Sequence, residues 1–142
     1  MTAMTTRLNV PTAGRRRAGG WVLVAAEFGF TALYAVCFYL ALARAAELTG
    51  HWYIPSQNDS FTAELDITGS WPWAALVMAV VSSGFMVAVL AFFVSLIVLL
   101  SGYAKGHRRL TVALIASTVT MVLLLVATLT PAATSVSGWL LD

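Results

Sequence analysis

Three stretches of this chain are apolar all the way round, with no polar face. Residues 21–43 form 23 positions with a single charge, Glu27. Residues 73–100 form 28 positions and 110–130 form 21, none of them charged. A helix rises about 1.5 Å per residue and the hydrocarbon core of a bilayer is roughly 30 Å thick, so about 20 apolar residues are enough to cross it. The pattern predicts an all-α membrane protein with three transmembrane helices, at 21–43, 73–100 and 110–130. The intervening segments read as a disordered basic tail at 1–20, a polar loop at 44–72, a basic link at 101–109 and a second tail at 131–142.

The 44–72 loop has a pattern of its own. Trp52, Tyr53 and Ile54 are apolar or aromatic, and 56–60 has the composition of a turn. From 61 to 68 the chain alternates, with Phe61, Ala63, Leu65 and Ile67 on one side and Thr62, Glu64, Asp66 and Thr68 on the other. Strict alternation argues a strand with one buried face, hence a short β-hairpin. The same residues also suit a bare loop.

The ends of the spans carry interfacial markers. Span one starts at Trp21, and Arg44 at its far end can snorkel to the headgroups. Trp71, Pro72 and Trp73 open span two, since indoles favour the interface and proline is tolerated in a first turn. Pro131 stops span three. A secretory signal peptide is the competing reading of the first block, with Ala41, Leu42 and Ala43 as the cleavage site. Its apolar run exceeds the usual 7–15 residues, which favours a retained span.

Charge sets the expected direction. Arg7, Arg15, Arg16 and Arg17 precede span one, and Lys105, Arg108 and Arg109 lie in the 101–109 link. The 44–72 loop sets Arg44 against Glu47, Asp59, Glu64 and Asp66, and the last residue is Asp142. Short basic loops stay cytoplasmic, so the N-terminus and the link are expected inside and the C-terminus outside. The arginine-rich, Ala/Val/Leu/Thr-rich composition suggests a high-GC bacterial plasma membrane. Arg15–17 suit anionic headgroups better than nucleic acid.

Small residues recur at helical spacing in each span. Gly84, Ala88, Ala91 and Ser95 keep one face of span two and predict a close helix contact. Ala25, Gly29 and Ala32 in span one, and Ala113, Ser117, Thr120 and Ala127 in span three, form similar stripes.

Candidate chemistry is sparse. Glu27 is the sole ionisable residue within a span, about 9 Å from Trp21 by the helical rise. A carboxyl at that depth is read first as an intramembrane functional residue, but a proton path needs a chain of such groups and the spans hold no second one. Cys37 stands alone, so it reads as a packing residue and no internal disulfide can form. His51, Asp59, Glu64 and Asp66 lack metal-site spacing, and His107 lies on the other side of the membrane. No catalytic, cofactor or metal motif is present. The expectation is a non-catalytic accessory or assembly subunit of a larger membrane complex, with membrane lipids and a protein partner or homo-oligomer as its surroundings. The alternative is a small oligomeric transporter or channel.

Overall fold

The computed structural model describes residues 12–62, 64–102 and 106–142, with the side chains of the first helix from Ala18 onward. Four helices follow in order: α1 Thr12–Thr49, α2 Ala74–Leu100, α3 Arg108–Thr128 and α4 Pro131–Leu140. Among the described residues there is no strand. Ala18–Thr49, Ala74–Leu100 and Arg108–Thr128 are each long and apolar enough to cross a membrane. The chain is therefore a multi-pass, all-helical membrane protein.

Helix α1 is longer than its apolar core. No proline interrupts it, and at 38 residues it extends about 57 Å, well beyond one hydrocarbon thickness. It covers 12–20, where a disordered tail is expected; residues 1–11 of that tail lie outside the described residues. Gly50 ends the helix in the left-handed region (φ 77°), its N–H donating to the Ala46 carbonyl at 2.8 Å.

The second departure from expectation is α4. Thr130 adopts an extended conformation, and its hydroxyl accepts a hydrogen bond from Ala133 N–H at 3.3 Å. Pro131 then stands in the first turn, where its missing N–H costs nothing. Pro131 thus ends one helix and begins the next, and the expected 131–142 tail is mostly helix.

Helices α2 and α3 pair as an antiparallel hairpin, α1 packs against both, and α4 touches all three. One apolar cluster joins Tyr34, Cys37, Ala41 and Ala45 of α1 with Val77, Val81 and Ala88 of α2, Met121 and Leu124 of α3, and Val136 and Trp139 of α4. A second joins Val24, Leu110 and Leu114 near the opposite, basic end. Cys37 packs in the first cluster, 1% exposed.

Of the span-two stripe, Gly84, Ala88 and Ser95 are buried and Ala91 is partly so. The span-one stripe is not inward-facing: Ala25, Gly29 and Ala32 are exposed, and Val24, Glu27, Tyr34, Cys37, Ala41 and Ala45 face the bundle instead. A carboxyl is far more costly against lipid than a row of alanines. Turning Glu27 inward turns Ala25 and Gly29 out. In α3 Ser117 is buried, Ala113 and Thr120 are partly so, and Ala127 is exposed.

The loop between α1 and α2 forms no hairpin among its described residues. Its backbone closes successive three-residue steps: Asp59 N–H to Ser56 O and Thr62 N–H to Asp59 O (3.1 Å each), then Leu65 N–H to Thr62 O (2.9 Å). Such turns coil the chain and erase the period of two. Phe61 and Leu65, expected inside, are 61% and 43% exposed, while Thr62, expected outside, is 2% exposed.

Candidate functional site

Between the two apolar clusters lies one polar layer. Glu27 of α1, Ser95 of α2 and Ser117 of α3 are buried, at 3%, 0% and 0% exposure. Each is one helical turn from a residue at the second cluster, namely Val24, Val98 and Leu114. The helical rise therefore sets all three at one level.

Ser95 Oγ donates to Glu27 Oε1, across 68 residues of sequence. Thr31 Oγ1 donates to the Glu27 carbonyl at 2.9 Å, so it serves the backbone and not the carboxyl. Ser117 turns its hydroxyl back to Leu114 O at 3.1 Å. Glu27 Oε2 has no hydrogen-bond partner among the described residues. The carboxyl thus joins α1 to α2 through one oxygen and keeps the other free. Chemically the layer can hold a proton or accept one more hydrogen bond. Sequence spacing alone could not pair Glu27 with Ser95, because their match depends on how α1 is rotated.

At the α1–α2 loop end, a folded cap covers the bundle. Trp139 of α4 is 1% exposed, and its Nε1–H donates to Thr62 Oγ1 at 2.8 Å. Asn58 N–H donates to Asp142 Oδ2 at 2.7 Å, holding a turn in which Asn58 has φ 56°. Arg44 is not spread toward headgroups. Its guanidinium donates to Ile67 O (3.3 Å) and Gly69 O (3.0 Å), pairs with Glu47 (3.3 Å) and lies 6.0 Å from the centre of a Trp71 ring. It clamps the end of the loop to the end of α1.

Two acidic side chains of the loop, Asp59 and Asp66, are taken up by turns. Asp66 Oδ1 accepts from Gly69 N–H at 2.7 Å and from Thr68 N–H at 3.2 Å, and Asp59 Oδ1 accepts from Phe61 N–H at 2.9 Å. His51 packs on Tyr53 and Phe61, with ring centres 5.2 and 5.6 Å away. No three His, Cys, Asp or Glu residues come together as metal ligands among the described residues. Tyr53 hydroxyl is buried without a hydrogen bond, and its burial, with the nearby Asp59 carboxylate adding to the effect, raises its pKa. At the basic end, Trp21, His107, Arg108, Arg109 and Leu110 line a hollow of about 360 Å³.

No family model, curated protein or solved structure matches the chain.

Proposed function

We propose that this protein is a non-catalytic accessory or assembly subunit of a larger complex in a bacterial plasma membrane, with its N-terminus cytoplasmic and its cap outside. The observation that carries the reading is the folded cap. A mere connection between two spans needs no fixed shape, yet this one is tied down by Arg44, Asp142 and the Trp139–Thr62 bond. On that fixed backbone Trp52, Ile54 and Phe61 stand 63%, 56% and 61% exposed. Aromatic and apolar groups held out from an ordered polar segment suit docking to another protein. The direction rests on the basic residues at 7–17 and 105–109 against the acidic loop.

Purification from native membranes in mild detergent tests the reading. A stoichiometric partner that is lost from the Trp52→Ala, Phe61→Ala double variant supports it. Recovery of wild type as a lone monomer or self-oligomer retires it.

A second reading, a small oligomeric transporter or channel, is favoured by one atom, the unpartnered Oε2 of Glu27. Against it, the three spans carry no second acidic or basic residue to continue a path. Proton flux into liposomes that is robust for wild type and vanishes in Glu27→Gln would replace the first reading with this one.

A further inference from the structure

The two ends of the bundle carry opposite charge. Glu47, Asp59, Glu64, Asp66 and Asp142 belong to the cap end, and Glu27 is buried against Ser95. Residues 1–20 and 101–109, at the other end, hold seven basic residues and no acidic one. Among the described residues the one ion pair is Arg44 with Glu47, so neither Arg108 nor Arg109 is neutralised there.

Basic residues that orient a span need only lie near its end; they need not share a space. Arg108 and Arg109 do share one. Both are exposed, and both line the hollow of about 360 Å³ together with His107 and, from α1, Trp21. Leu110 also lines it, is 3% exposed, and packs with Val24 in the second apolar cluster, which fixes α3 against α1 at this end. Trp21 stands one helical turn before Val24 and is 50% exposed. The apolar helices begin at this level, at Ala18 in α1 and Arg108 in α3. An indole at such a boundary sits among lipid headgroups.

We infer that this hollow holds the phosphodiester of an anionic phospholipid of the adjoining leaflet. A basic recess between two spans at headgroup level has the chemistry for it. The guanidinium forks of Arg108 and Arg109 match pairs of phosphate oxygens, and a ring N–H of His107 can add a hydrogen bond. The Trp21 ring covers the glycerol. A zwitterionic lipid fits less well, because its ammonium brings a positive charge toward two guanidiniums. Free phosphate lacks the glycerol and acyl chains that would meet Trp21 and hold the anion at this level. The volume, on the order of twelve waters at ~30 Å³ each, admits a headgroup and leaves the acyl chains in the bilayer. Either orientation of the bundle keeps the site in a headgroup layer.

Native mass spectrometry of the purified full chain, titrated in mild detergent, tests this by counting bound lipid. The probes are phosphatidylglycerol, phosphatidylcholine with the same acyl chains, and inorganic phosphate as competitor. Phosphatidylglycerol should bind about tenfold more tightly than phosphatidylcholine or better, and an equal concentration of phosphate should not displace it. Arg108→Gln and Arg109→Gln should each weaken that binding about fivefold, and together about 25-fold. Arg7→Gln removes the same charge far upstream in the sequence and should cost less than about twofold. Arg108→Lys with Arg109→Lys keeps the charge that orients the spans but loses the forks, and should cost about threefold or more. That pair carries the test where the glutamine pair fails to insert. Equal binding of the two lipids, an equal loss from Arg7→Gln, or unchanged affinity in the double variants overturns the inference. Displacement by inorganic phosphate marks a free-anion site and overturns the lipid.

Discussion

The ring of Tyr34 lies directly across the backbone of α2 at Gly84. A Cβ built on Gly84 would stand 2.8 Å from Cδ2 of that ring and closer still to Cε2, with Thr128 Cγ2 at 3.4 Å. What approaches α2 at this glycine is an aromatic ring and not a second helix backbone.

Gly84→Ala should therefore destabilise the bundle by about 1–3 kcal/mol, the usual range for overpacking. Tyr34 cannot swing aside freely, since it is buried and stacked on Phe38 with ring centres 6.1 Å apart. Adding Tyr34→Ala should make the second change far less costly than it is alone, a coupling of about 1 kcal/mol or more. Unfolding of the four proteins in a mixed-detergent titration measures this. Strict additivity would mean that the ring and the glycine do not meet.

In the cap, Thr62→Val should be more harmful than its size suggests. It leaves the indole N–H of Trp139 buried and unpaired, a loss of about 1–3 kcal/mol. The expected signature is faster hydrogen exchange and protease cutting within 50–73 while the spans stay protected. Unchanged protection of that loop would show that the bond holds nothing.

Tyr53 should make the cap sensitive to alkali. Its folded pKa lies above the unfolded value of about 10, because burial and Asp59 both disfavour the phenolate. The folded state then holds its proton where the unfolded state has released it. Stability is complete below about pH 10 and is lost as pH rises through the folded pKa. Tyr53→Phe removes an unpartnered hydroxyl, so near neutral pH it should be neutral or slightly stabilising. Comparing loop proteolysis of the two proteins against pH tests both halves; an identical alkaline loss would exclude Tyr53 as its source.

Orientation is checked by fusions of alkaline phosphatase and a fluorescent reporter after residues 60, 105 and 142. Seven basic residues against one predict phosphatase activity at 60 and 142 and fluorescence at 105. The opposite pattern would reverse the assignment.

The three long helices were legible because apolar runs of this length, with at most one charge, have no other stable fate. Helix rotation was not. Ala25 and Gly29 look like a contact face until Glu27, two residues from each, claims the interior. Nor was α4 visible, since ten residues are too few to announce a span and a proline that stops one helix does not by itself announce that it starts another. Its inward residues Ala133, Val136, Trp139 and Leu140 do follow helical spacing, and that was the available signal. The 61–68 alternation misled because period two in sequence says nothing once the backbone coils through three-residue turns.

The Trp139–Thr62 bond also puts a clock on biogenesis. Its two halves are 77 residues apart. At about 5–20 residues per second, the ribosome makes Trp139 roughly 4–15 s after Thr62. Through that interval the loop waits with its anchoring indole not yet made. Closure of the cap is thus a late event, after the residues of all three long helices have been made. In those seconds the exposed aromatic loop is open to chaperones, proteases and any partner that can bind it unfolded.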